Sequence, residues 1–133
     1  MKVVFVAGFS PIVRDMTASK KLYIDVLGLP LKGDYPSSER IDGVKHFGLW
    51  SLQEAAKTCF GKDHWPADIP IPQGNVEFDV DDVEAAAAEL ERKGYKLLHH
   101  AKKEPWGQTI CRLFSPEGLL IGLSETPPLR GSS

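Results

Sequence analysis

The acidic and imidazole side chains of this sequence are the groups most able to do chemistry. Glu77 lies in a strand-like run at 75–82, where a partly buried carboxylate could act as a general base or anchor a cationic ligand. It could instead form a structural ion pair with Arg112 or a lysine. His46, in another apolar run, could act as a base or ligate a metal, or it could be a hydrogen-bonded strand residue. Residue type alone leaves these alternatives open.

Two further pairs of residues give weaker signals of chemistry, metal chelation for the histidines and reactivity for the cysteines. His99 and His100 are adjacent, and neighbouring strand residues point to opposite faces, so the two imidazoles cannot readily chelate one ion. We expect both on the solvated surface. Cys59 and Cys111 are too few for a disulfide framework, and we expect two free thiols that pack in the core.

The elements that must position these groups repeat once along the chain. Each apolar, β-branched run is followed by a helical pattern, with apolar residues three and four positions apart. An aspartate before each helix can accept hydrogen bonds from its first N–H groups, and a glycine after it supplies a left-handed cap. The strand-like runs and caps are 3–14, Asp15 and Gly28 in the first half, and 75–82, Asp82 and Gly94 in the second.

Three shorter strand-like pieces follow each predicted helix, so each half reads β-α-β-β-β and the fold class is α+β. Between the halves, a short helix at 53–57 precedes a proline-rich segment that cannot be helical. The pieces are 30–36, 40–46 and 46–52 in the first half and 96–103, 107–114 and 118–125 in the second. We predict one domain over 1–133, with module one at about 3–52, a linker at 53–74, module two at about 75–125 and a loose tail at 126–133.

Composition excludes several classes of protein. The chain has 133 residues, a formal net charge of −2 and a pI near 6.1, which argues against a nucleic-acid binder. The longest apolar stretches are far shorter than the roughly 20 residues of a membrane span. The first residues lack the pattern of a secretion signal, so we expect a cytoplasmic protein.

The order and spacing of these pieces resemble the vicinal oxygen chelate superfamily, which contains glyoxalases, bleomycin-resistance proteins and extradiol dioxygenases. The match covers about 3–125. It implies two βαβββ modules that form a cupped mixed sheet, a glyoxalase-like fold, and homodimers are common in the group. The segments that carry the resemblance are 13–15 and 22–29 in the first half, and 76–83, Trp106-Gly107 and 113–121 in the second.

The resemblance also implies a divalent metal held by His or Glu on the face of the cup. Carried over motif by motif, the ligand positions fall on Gly8, Gly48 or Trp50, Asn75 and Gly122. Glycine has no side chain and asparagine is a weak neutral donor, whereas transition-metal sites need imidazole, thiolate or carboxylate groups. We therefore expect a metal-free cup with no cofactor.

Strand alternation from those positions predicts which other residues share the cup face. It leaves the parity of 107–114 open, so either Cys111 or Arg112 could face the cup. Trp106 lies in a turn where this family often places an aromatic residue at the ligand mouth. Several candidates have structural alternatives, such as core packing for Trp50 and a strand cap for Asn75. The expected lining comprises Val6, Gly8, Ser10, His46, Gly48, Trp50, Asn75, Glu77, Leu120, Gly122 and Ser124, and the predicted ligand-binding residues are Ser10, His46, Trp50, Asn75, Glu77 and Trp106.

Two functional hypotheses follow from the residues and the resemblance. The first is a metal-independent, homodimeric protein that binds a small molecule, resembling the resistance proteins that sequester a toxic compound. Glu77 and the net charge would suit a cationic or neutral ligand. The second is an enzyme of the same superfamily, a lyase, isomerase or dioxygenase. It would use a metal at a non-standard site or Glu77 as a general base. An interaction module with an empty cup is a third alternative.

Overall fold

The computed structural model describes residues 1–126, which group into two compact units. Unit 1 consists of Met1–Ala7 and the residues from Val76 onward, and unit 2 is Gly8–Asn75. Parallel and antiparallel strand pairings both occur, together with helices, so the predicted α+β class is confirmed.

Unit 1 contains a sheet covered on one side by a helix. Its strands lie in the order β5-β8-β7-β6, and the β6–β7 and β7–β8 pairs are antiparallel. The elements are β5 (Gly74–Val80), which begins in unit 2, α3 (Val83–Arg92), β6 (His99–Lys103), β7 (Thr109–Phe114) and β8 (Leu120–Glu125).

Helix α3 has the predicted ends and packs on one face of this sheet. The Asp82 side chain accepts a hydrogen bond from the Ala85 N–H at 3.0 Å, and Gly94 has a positive φ of 90°. Apolar residues of the helix and of β5, β7 and β8 meet in one buried cluster. Its buried members are Val80, Val83, Ala86, Ala87, Cys111 and Leu123.

Cys111 therefore faces α3. Burial raises the pKa of its thiol to about 11, so the group stays protonated at neutral pH. Cys59 is also buried, and neither cysteine forms a disulfide, as the sequence predicts.

Unit 2 is built around most of β1 (Val3–Val13) and two helices. Asp15 caps the first helix by accepting from the Ala18 N–H at 3.0 Å, and the helix then widens into a π-helical segment in which the Leu27 N–H donates to the Leu22 carbonyl. The helices are α1 (Met16–Lys20), continued by π-helical Lys21–Val26, and α2 (Leu52–Phe60). Helix α2 confirms the short helix predicted at 53–57.

The strands of the first half are shorter than the sequence predicts. Neither 30–36 nor 40–46 forms a strand, apart from a single bridge between Lys32 and Ser37. The two-residue strands are β2 (Ser37–Ser38), β3 (Phe47–Gly48) and β4 (Trp50–Ser51), of which β3 and β4 pair with β1 in parallel.

The predicted strand at 46–52 is divided into β3 and β4 and ends where α2 begins, at Leu52. The strand predictions of the second half agree with the structure, and 96–103, 107–114 and 118–125 correspond to β6, β7 and β8. The part of the predicted tail at 127–133 lies outside the described residues. Over residues 1–126, no helix is long and apolar enough to cross a membrane.

Candidate functional site

The side of the unit 1 sheet opposite α3 carries the polar groups, and we call it the polar face. Arg112 lies directly opposite Gly122 in the β7–β8 register, so both residues point to the same side. A Cβ atom added to Gly122 would lie 3.0 Å from Glu77 Cγ, which puts Glu77 on that side as well. Arg112 therefore shares a face with Glu77, while Cys111 lies on the other. This settles the parity that the sequence left open.

A chain of hydrogen bonds on the polar face joins an exposed indole to a half-buried carboxylate. Trp106, which is 58% exposed, donates from Nε1 to Gln108 Oε1 at 3.0 Å. Gln108 is buried and donates from Nε2 to Glu77 Oε1 at 2.7 Å and to Thr126 Oγ1 at 2.9 Å. Because both hydrogens of the amide are used, the orientation of Gln108 is fixed by its partners.

Through Thr126, the same hydrogen bonds reach Asp79, a fully buried aspartate of β5. The Thr126 N–H donates to Asp79 Oδ1 at 3.0 Å, and Thr126 Oγ1 donates to Ser124 Oγ at 3.4 Å. Buried polar groups bonded in this way have few alternative arrangements. The Glu77 carboxylate is therefore held in one place by a network that joins β5, the residues just before β7 and the end of β8.

A tight turn between β6 and β7 presents Trp106 and Gln108 together. The Glu104 N–H donates to the Gln108 carbonyl at 2.7 Å, and the Gly107 N–H donates to the Glu104 carbonyl at 2.9 Å. Gly107 has φ 95°, a left-handed conformation that glycine adopts at little cost. The backbone of this segment, 104–108, closes on itself and brings the indole next to the amide.

A buried ion pair holds the first residue of the turn. Arg112 is 1% exposed, and its Nη1 donates to Glu104 Oε1 at 3.1 Å. Lys102 Nζ lies 3.7 Å from the same oxygen. Two cations thus surround one buried carboxylate, and removing either partner of such a pair leaves a costly unpaired charge.

His99 completes this cluster in a single tautomer. Arg112 Nη1 can only donate, so His99 Nε2, 3.2 Å away, must accept. His99 Nδ1 lies 2.8 Å from the His100 carbonyl and must donate to it. The ring is therefore neutral, with its hydrogen on Nδ1. Burial lowers the pKa of His99 below 6.5, and the charges of Arg112 and Lys102 lower it further.

The expectation that both histidines are on the solvated surface is right for one and wrong for the other. The His100 side chain is 79% exposed and lies 3.4 Å from Glu91, whereas His99 is half-buried against Arg112. The bulge in β6 between His99 and Lys102 places both of these residues at the same charge cluster.

The other predicted ligand-binding residues belong to unit 2. His46 lies beside two glycines: a Cβ on Gly8 would be 2.8 Å from the His46 carbonyl oxygen, and a Cβ on Gly48 would be 3.5 Å from its Nε2. Trp50 of β4 lies opposite Ile12 of β1.

Ser10 and Asn75 are the remaining two. Ser10 lies on β1, and Asn75 is buried on β5 with 1% exposure. The structure thus brings Glu77 and Trp106 together through Gln108, within unit 1. It does not by itself assign a ligand to any of the six predicted residues.

The positions at which the resemblance implies a metal do not fit one. A side chain at Gly122 would meet Ile110 Cδ1 at 2.8 Å and Glu77 Cγ at 3.0 Å, and one at Gly8 would meet the His46 backbone. A longer ligating side chain would therefore meet backbone at Gly8, and at Gly122 it would require the Ile110 and Glu77 side chains to move. Among residues 1–126, no three His, Cys, Asp or Glu side chains gather in a metal-holding arrangement.

Sequence reasoning missed Gln108, Glu104 and the role of Arg112. Gln108 lies outside the predicted lining because the parity of 107–114 was open. Strand alternation could have found it, because Gln108, just before β7, has the same parity as Ile110 and Arg112 on β7 and so points to the same side.

Comparison with known families decides where the chain belongs. A family model described as a glyoxalase-like domain matches residues 6–127. The chain belongs to the glyoxalase-like family. No curated protein sequence matches it.

Solved structures support the glyoxalase-like fold. A glyoxalase/bleomycin resistance protein/dioxygenase superfamily member from Vibrio splendidus 12B01 is 18% identical, with a TM-score of 0.59 over 91% of this chain and 97% of that one. Methylmalonyl-CoA epimerase from Mycobacterium tuberculosis is 18% identical, with a TM-score of 0.60 over 98% and 93%. A variant of the Streptomyces coelicolor epimerase is 15% identical, with a TM-score of 0.57 over 94% and 99%. At these identities the likeness establishes the fold alone.

Proposed function

We propose that this glyoxalase-like protein binds a small organic molecule without a metal, on the polar face of unit 1. The observation that carries the proposal is the hydrogen-bonded chain from Trp106 through Gln108 to Glu77. An indole that is fixed by its N–H still has both ring faces for stacking on a flat ligand. A carboxylate held by an amide nearby can fix the orientation of a group that donates a hydrogen bond.

The charge of the site favours a cationic or neutral aromatic ligand. Glu77 supplies the negative charge, and Gln108, Thr126 and Ser124 are neutral. Arg112 and Lys102 share the single carboxylate of Glu104, and the Asp79 carboxylate belongs to the same face, so the formal charges of these groups and Glu77 sum to −1. We further propose a homodimer, as the resemblance implies, which light scattering coupled to size-exclusion chromatography would measure.

A thermal-shift panel of aromatic amines and matched aromatic carboxylates tests the proposal. A binder present at 100 times its Kd should stabilise the protein by about 2.7 kcal/mol, and the amines should be favoured. Glu77→Gln should remove the preference for amines, and Trp106→Ala should weaken binding of both series. Glu117→Gln, an exposed change of the same charge in another turn, is the matched control. The proposal fails if no compound of either series binds, or if Glu77→Gln leaves the preference intact.

An enzyme that uses Glu77 as a general base is the second candidate. The observation that favours it is the 2.7 Å hydrogen bond from Gln108, which orients the carboxylate as a base must be oriented. Proteins of the same fold include methylmalonyl-CoA epimerase. Turnover of a bound compound that is lost in Glu77→Gln, with binding retained, would favour the enzyme. Binding without turnover would favour the sequestering protein.

A further inference from the structure

The turn that carries Trp106 and Gln108 is connected to a charge cluster that the proposed binding chemistry does not use. Arg112 and Glu104 are both buried, and the cluster meets the turn at Glu104. Glu104 is also the residue whose N–H and carbonyl close the turn on Gln108 and Gly107. The side chain of Glu104 is thus bound by the charge cluster, while its backbone forms the hydrogen bonds that close the turn.

We propose that Arg112 is a positioning residue for the ligand site, acting through Glu104 on the turn that presents Trp106 and Gln108, with neutral His99 holding Arg112 in place. The inference rests on the proposed function, because it assigns a support to that site. None of the three supporting residues needs to touch the ligand.

The geometry makes this support sensitive to protons. His99 Nε2 accepts from Arg112 only while it carries no hydrogen. Adding a proton there would turn an N–H towards the guanidinium group and place a second positive charge beside it. The Arg112–Glu104 contact would have to rearrange, and the turn would lose its fixed anchor.

Charged groups lie near His99 on β6, on β7 and on helix α3. Arg112 faces it from β7, and Lys102 and Glu104 lie on β6 and directly after it. On α3, Glu91 is paired with His100 rather than with His99. Of the groups that act on His99, Glu104 favours the protonated ring, as does the hydrogen bond to the His100 carbonyl, and the two cations oppose it.

The indole N–H of Trp106 reports on the turn in the ligand-free protein. Its signal in a proton–nitrogen correlation spectrum is identified by its loss in Trp106→Phe. As the pH is lowered from 8 through the range in which His99 takes up a proton, we expect this signal to shift. We also expect the indole N–H to be several-fold less protected from exchange at the acid end, when each rate is compared with that of a free indole at the same pH. His99→Gln should abolish the pH dependence. His100→Gln, the exposed neighbour, should leave it unchanged.

A second variant keeps the test decisive if His99→Gln does not fold. Glu104→Gln preserves shape but removes the charge that Arg112 holds, and it should speed indole exchange several-fold at pH 8. Glu117→Gln should not. A flat titration in the wild-type protein, or a titration that survives in His99→Gln, would overturn the inference.

The ligand-free readout separates this inference from the proposed function. If the Trp106 signal behaves as expected and no aromatic amine or carboxylate binds, the positioning is real and the proposed function is wrong. If compounds bind but the signal is indifferent to His99 and Glu104, the function stands and the inference is wrong.

Discussion

Single residues on the polar face are packed so closely that small changes at one of them reach the candidate site. Gly122 is the clearest case, because an added Cβ would lie 2.8 Å from Ile110 Cδ1 and 3.0 Å from Glu77 Cγ. Ile110 is fully buried and has little freedom to withdraw. The sequence identified Gly122 as a place without a ligand, but only the structure shows which atoms occupy the space.

Gly122→Ala should therefore destabilise the protein by about 1–3 kcal/mol through overpacking, measured by urea unfolding. Ile110→Val removes the Cδ1 atom that the new methyl group would meet. The double variant Gly122→Ala/Ile110→Val should be more stable than the sum of the two single effects predicts. Strict additivity would contradict the close contact.

At the scale of elements, the two halves differ although their patterns are alike. The caps and apolar spacing of both first helices are local signals, and the structure confirms Asp15 and Asp82 as caps. The three strands that follow the helix of the second half extend over five or six residues, but the three that follow the first helix are two residues long. Strand length depends on the partner strand, which a local pattern does not contain.

Hydrogen exchange should show this difference directly. In unit 1, the amides of β7 are paired on both sides by β6 and β8, so they should exchange slowest. In unit 2, the amides of β2 and β3 have only short ladders, and we expect them to exchange much faster than those of β7. Mass spectrometry of peptides covering 34–50 and 109–114 measures both. Equal protection of the two peptides would argue against the short strands.

For the whole molecule, the sequence predicted fold class and family from the order of its elements. The structure confirms the fold class, and the family model confirms the family. It could not predict the Trp106–Gln108–Glu77 chain, because those residues meet only when β5 and β7 are arranged in one sheet. It also could not distinguish His99 from His100, since the difference arises from Arg112, 13 residues away. Contacts of this kind depend on strand register, which no local pattern encodes.

The stability of the molecule should fall as the pH drops through the His99 range. Well above pH 6.5 His99 is neutral in both the folded and the unfolded protein, so its ionisation does not change the free energy of unfolding. Below 6.5 the unfolded chain takes up the proton first, so the free energy of unfolding decreases until the folded pKa is passed. Urea unfolding between pH 7.5 and 5 measures the decrease. His99→Gln should flatten the profile in that window, and His100→Gln should not.

A second ionisation belongs to a lower pH window and should be seen separately. Glu89 has its pKa lowered to about 2, first by the hydrogen bond from the amino group of Met1 and then by that from Lys93. Ionised Glu89 adds to the free energy of unfolding above about pH 4.5, and this contribution is lost as the pH falls towards 2. Because the group is partly exposed to solvent, added salt should weaken its contribution to the free energy of unfolding.

The packing around Gly122 also constrains how this chain could evolve. A change to His or Glu at that position, taken alone, meets the buried end of Ile110 and the stem of Glu77. Shortening Ile110 first would remove one of those obstacles, so the order in which the substitutions occur affects the stability of the intermediate. Selection for a ligating side chain at this position would thus also act on Ile110, a core residue that would not itself touch the metal.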